Sequence, residues 1–338
     1  MLNTSISTGK QRSLHFCNHV VASTRVRLKE VSTGLCFLIA SIGMLVAAPA
    51  EPNVRARGPH QAEWTRTTSQ KLPNGGSRTH SSSYTELSVG LNYLKDGQWT
   101  KSQEIIELFK DGAVFRQAQY KVIFDPNAAA PRGAIDVEMP DGKRWRSTVL
   151  GIAVIDPATQ RSELIAEVKD CVGVLEGPNT VIYPDAFDFD SGARAAIRYT
   201  CTRDRFEQDI ICLDQIALPR GYGPGSRLEV WSEVFGPQDF AKTTRNLGGI
   251  SDDRLDFGSM MIGSGLALTL EDPKGSTWSA PVYKSWTTTP EGRTFLIETI
   301  EYQSIAPQLK ALPAPRGAAL KKAGPAKQMA MNAAGKRS

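Results

Sequence analysis

Histidine is nearly missing from this 338-residue chain. His15, His19, His60 and His80 are the whole complement, and no imidazole follows residue 80. That excludes a Ser-His-Asp or Cys-His centre built within the main body. Cysteine is also scarce: of five, only Cys171, Cys201 and Cys212 lie beyond residue 50. Three thiols without histidine argue against a zinc site there. Helical periodicity is rare, one short turn over 237–243 being the exception, and neither end carries heptads or a repeat. Gly221 to Ser226 (GYGPGS) neither follows a clean strand nor opens a helix, so it is no phosphate loop. A basic body is lacking too. The net charge of +5 resides in the ends, with +4 over 1–50 and +7 over 306–338, which leaves −6 between them. No specific nucleic-acid binding is expected from that distribution.

What is present begins with an address. Arg25, Arg27 and Lys29 precede an apolar stretch from Leu35 to Ala48, and Ala48-Pro49-Ala50 supplies the small residues of a cleavage site. Fourteen such residues reach only about 21 Å as a helix, short of the roughly 30 Å hydrocarbon core. The layout predicts a signal peptide over 1–50, cleaved after Ala50, and a secreted or cell-envelope location. Residues 51–83, rich in Ser, Thr, Arg, Gly and Asn, read as a flexible lead-in. Residues 306–338, an Ala/Pro/Lys/Gly segment, read as a disordered basic tail.

Between these flanks, 84–305 reads as strand after strand. Leu87, Val89, Leu91 and Tyr93 alternate with polar residues, and Tyr120, Val122 and Phe124 do the same. Three hairpins are legible, turning at Pro140-Asp141-Gly142-Lys143, at 156–160, and at Arg203-Asp204-Arg205. Turn signals recur every ~8–12 residues, the spacing of a sandwich or barrel. The expectation is an all-β fold, a large antiparallel β-sandwich of about a dozen strands forming one domain.

Several phrases also carry a resemblance. They include Asn92-Tyr93 with Gly97-Gln98-Trp99, Gly133-Ala134-Ile135-Asp136 before Pro140-Asp141-Gly142-Lys143, and Leu164 to Asp170. Tyr183, Asp185-Ala186-Phe187, Arg198-Tyr199 and Phe206 to Ile211 continue it. Over 84–213 the chain resembles the amino-terminal β-sandwich region of large secreted proteins of Verrucomicrobia-like bacteria, some of which continue into RHS/YD-type repeats. The resemblance implies an extracellular structural or adhesive module and transfers no active site.

Candidate chemistry is thin. Asp185, Asp188 and Asp190, before Ser191-Gly192, crowd oxygen ligands that suit calcium, although the EF-hand order is not met and acids also initiate turns. If Thr202 opposes Phe206, pleat parity sends the β-carbons of Cys201 and Cys212 apart, so no disulfide joins them. They read as small buried hydrophobes. Trp99, Trp145, Trp231, Trp278 and Trp286 include candidates for a sugar-stacking platform, though tryptophan on an alternating strand is more often core. Glu104, Glu107, Glu229, Glu233, Glu298 and Glu301 would supply a glycosidase pair, but no spacing singles out two. The functional expectation is a structural or interaction module without an identifiable catalytic centre, whose partners are cell-envelope glycans or surface proteins. Its rivals are a carbohydrate-binding module and a glycan-active enzyme.

Overall fold

The computed structural model describes residues 53–269 and 278–315, together with the backbone of 14–21. The chain is almost entirely β and falls into two compact units, one of residues 22–103 and one of residues 1–21 with 104–338. The division falls between Gln103 and Glu104 rather than at the expected residue 84.

The smaller unit replaces the expected flexible lead-in with a three-stranded antiparallel sheet, Asn53–Arg57, Gln61–Lys71 and Ser77–Leu87. Its side chains are mostly exposed, so no apolar alternation announces it; the β-branched threonines suit an extended chain all the same. Trp64 stacks on Tyr84 across the ladder at 6.2 Å, and Arg57 lies over the Trp64 ring at 5.5 Å. A hairpin, Asn92–Lys95 with Gln98–Lys101, turns at Asp96-Gly97 with both φ positive. The fully buried Asn92 carboxamide ties this hairpin to the sheet. It accepts from Arg57 at 2.7 Å and donates to the carbonyls of Gly58 and Gln61.

The larger unit is the sandwich. Its first sheet begins with a meander of Ile106–Phe109, Gly112–Phe115, Lys121–Phe124 and Ile135–Glu138. The 13-residue strand Arg144–Asp156 follows and takes three neighbours. Ile135–Glu138 and Arg161–Val168 share one edge, while Arg227–Phe235 runs along the other. Register slips between Val149 and Gly151. A Cβ at Gly151 would meet the Ala166 carbonyl oxygen at 2.3 Å, so the bulged strand needs glycine there. Thr294–Glu301 and then Ser279–Thr288 extend this sheet.

The second sheet runs Val174–Leu175, Thr180–Tyr183, Ala195–Cys201 and Arg205–Cys212. Leu14–Val21 comes next, paired on its other side with Gly265–Thr269, which pairs in turn with Ser279–Val282. Ser279–Thr288 therefore belongs to both sheets: it leaves the second after Val282 and joins the first from Tyr283 onward. Between the sheets lies an aromatic ladder. Tyr199 stacks on Phe206 at 5.6 Å, with Phe124 and Tyr183 against Tyr199 at 5.8 and 6.1 Å. The Tyr120 hydroxyl donates to the carbonyls of Thr202 and Arg205, which pins the meander to the 201–205 turn.

All three expected hairpins are present, but the third has another register. Cys201 opposes Phe206, not Glu207. Cys201 and Cys212 consequently share a face, and what keeps them apart is six residues of strand, about 20 Å. The expected helical turn at 237–243 is instead the approach to a hairpin, Ala241–Leu247 with Ile250–Asp256, turning at Gly248-Gly249. The expected tail is ordered at its start. Tyr302–Lys310 is a helix that buries Tyr302, Ile305 and Leu309, and Leu312 is buried beyond it. Gln215 donates to the carbonyls of Lys310 and Leu312 and holds the helix end in place. Residues 316–338 lie outside the described residues, as does the predicted signal peptide apart from Leu14–Val21. Among the described residues no helix is long and apolar enough to cross a membrane.

Candidate functional site

A strand that changes sheets exposes backbone donors at the crossing, and buried donors must be paired. Asp252 and Asp253 meet that demand. Asp252 accepts from the Lys284 backbone N–H at 3.0 Å and from the Ser264 hydroxyl at 2.6 Å. Asp253 accepts from the Trp286 backbone N–H at 2.9 Å, from Thr244 at 2.5 Å and from Lys242 at 3.3 Å. Burial alone would raise the Asp253 carboxyl, but Thr244, the Trp286 N–H and Lys242 together hold it below the usual carboxylate range. The two acids thus fix the rotation of the strand that carries Lys284 inward and Trp286 to the rim.

At that rim opens a cleft of about 380 Å³. Trp286 and Phe240 wall it, their rings 4.9 Å apart and edge-on at 87°, with Phe257 braced behind Phe240 at 5.3 Å. Gln238, Thr288 and Thr294 add polar groups. The Gln238 amide donates to the carbonyls of Phe235 and Gly236, and its Oε1 is buried without a hydrogen-bond partner among the described residues. Aromatic side chains among threonine hydroxyls, in a cleft of small-ligand size whose exposed lining is mostly polar, suit a hydroxyl-rich ligand that also has apolar faces.

Deeper in the sandwich, Lys284 is fully buried and opposes Glu298 on the neighbouring strand, Nζ to Oε1 being 3.7 Å. The other oxygen of Glu298 accepts from the Gln208 carboxamide of the second sheet at 3.3 Å. Burial pushes the Glu298 carboxyl up, against the pull of Lys284 and Gln208. Nothing in the charge pattern singles these residues out. Parity does: Lys284 sits in step with Val282 and Trp286, and Gln208 with Phe206 and Ile210.

The residues expected to carry chemistry are dispersed or engaged. Asp185 pairs with Lys169 at 2.8 Å, and Asp188 sits across from Glu167 with its side chain exposed, as is that of Asp190. Among the described residues no group of three or more His, Cys, Asp or Glu is placed to hold a metal ion. Trp145 is buried and meets Trp286 at 44°, which is no coplanar platform; Trp99 lies in the smaller unit and Trp278 packs on the core edge. Trp231 gives its indole N–H to Glu229 at 2.9 Å. Glu107 is held by Arg116, Glu233 by Arg293, and Glu104 accepts from the Arg203 backbone. Burial raises the Glu229 carboxyl as it does that of Glu298. Because Val230 is the residue opposite Glu298, however, the two carboxyls leave opposite faces of the sheet. They do not form an acid–base pair. Burial pushes the Cys212 thiol up to about 12 and that of Cys201 well above its ordinary value, as expected for inert core thiols. No protein-family model matches the chain, and neither a curated protein nor a solved structure matches it.

Proposed function

We propose that the chain is a secreted interaction module of the bacterial cell exterior, and that its binding face is the cleft beside Trp286, with an envelope glycan as the ligand. The cleft carries this reading. Trp286 and Phe240 in its wall offer ring surface to a sugar, and Thr288 and Thr294 in its lining offer hydroxyls to those of the sugar. The export layout of residues 25–50 and the resemblance over 84–213 support the compartment, where such polymers are found. Binding of the full chain to an array of cell-envelope polysaccharides, followed by titration on tryptophan fluorescence, tests the proposal. Saturable binding is expected, weakened roughly tenfold or more in Trp286→Ala. Trp231→Ala, with its indole committed to Glu229, should bind as the parent does. A folded parent chain that binds no glycan on the array, or a Trp286→Ala variant that binds equally well, would overturn it.

A further inference from the structure

The Lys284–Glu298–Gln208 cluster serves no role in the cleft, and it is costly. Placing an ammonium and a carboxylate together in the interior loses the hydration of both ions, and their attraction often fails to repay it. The low-dielectric alternative is the neutral pair, an uncharged amine beside a protonated acid. The arrangement then has a chemical meaning. One oxygen of Glu298 faces the Lys284 amine at 3.7 Å, and the other holds the Gln208 carboxamide nitrogen at 3.3 Å. The carboxyl lies between a nucleophile and a leaving group, in reach of each. All three side chains are at most 7% exposed, so water hardly competes as a nucleophile.

We propose that Lys284 and Gln208 become joined by an intramolecular isopeptide bond, with Glu298 as the proton relay. The Lys284 Nζ lone pair attacks Gln208 Cδ and a new N–C bond forms. Glu298 takes the proton from Nζ on one oxygen and delivers a proton to Nε2 from the other. The original C–N bond breaks, its electron pair leaves with nitrogen, and ammonia departs. One amide replaces another, Glu298 ends in the protonation state in which it began, and no oxidant or cofactor is consumed. An interior cavity of about 30 Å³ adjoins Gln208 and has room for a molecule the size of water or ammonia. Gln208 stands on the second sheet and Lys284 on the part of its strand that belongs to the first. The bond would therefore be a covalent strap across the sandwich, suited to a protein that works outside the cell.

Intact-mass spectrometry of the full chain under denaturing conditions is decisive, since a covalent strap survives unfolding. The expected mass is lower than that of the sequence by one ammonia, and peptide mapping should place the loss in a branched peptide containing Gln208 and Lys284. Glu298→Gln should restore the sequence mass, as should Lys284→Met, which retains the apolar volume. Should either variant fail to fold, the parent's branched peptide still decides. Unbranched Gln208 and Lys284 peptides from the folded parent would overturn the proposal. So would the loss of one water instead, because that marks a Lys284–Glu298 amide.

Discussion

Phe206 concentrates the packing energy of the larger unit. It is buried, stacked on Tyr199 at 5.6 Å, and touches Phe124 at 6.4 Å from the opposite sheet. Phe206→Ala would open a void that the flanking rings are too rigid to fill, at a cost of about 3–5 kcal/mol. That is comparable to the whole margin of a domain, about 5–15 kcal/mol. Arg203→Ala is the control. Its bond to Glu104 uses the backbone N–H and survives the substitution, so stability should shift by no more than about 0.5 kcal/mol. Urea melts of both variants check the contrast, and equal midpoints would place Phe206 outside the core. The inward face of this strand was legible from alternation alone, Phe206, Gln208 and Ile210 sharing a side. The chemistry of that face was not, because Glu298 and Lys284 come from residues 90 and 76 positions away, and only the sandwich closes that distance.

At the scale of elements, the strand Ser279–Thr288 depends on acids that belong to another hairpin. Hairpins with an apolar stripe were readable: 135–147, 149–168 and 195–213 all form. The hairpin 241–256 was not, because its first arm is wholly exposed and shows no stripe. Gly248-Gly249, with both φ positive, was the available signal, since a two-residue turn of that kind matches the twist of paired strands. The helix Tyr302–Lys310 was lost for a different reason. Its apolar stripe of 302, 305, 309 and 312 straddles the point where the composition turns to Ala, Pro and Lys, so neither side showed the full period. Asp253 makes the crossing sensitive to pH. Asp253 has a folded pKa below its unfolded value, so its contribution is fully present above about pH 4 and is lost as pH falls through the depressed value. The urea midpoint of the parent should therefore drop on acidification below about pH 4. Asp253→Asn, which cannot titrate, should start lower and decline less steeply over the same window. Parallel pH profiles would show that Asp253 does not carry this dependence.

For the whole molecule, the amino-terminal strand and the export reading make opposing demands. Leu14–Val21 is an interior strand of the second sheet, paired with Arg205–Cys212 on one side and Gly265–Thr269 on the other. Cleavage after Ala50 would remove it and leave two backbone edges facing a vacant lane. Unpaired edges are templates for another strand, so a processed chain must close the lane or recruit an occupant. Hydrogen exchange distinguishes a chain that starts at Glu51 from the full one. In the shorter chain, amides of Arg205–Cys212 and Gly265–Thr269 that face the lane should exchange faster. Those of Ala195–Cys201, paired with Thr180–Tyr183 and Arg205–Cys212, should keep their protection. Protection that is unchanged at both edges, in a chain that stays monomeric, would mean that the two strands pair directly once the leader is gone. Leu14–Val21 would then be dispensable to the sandwich.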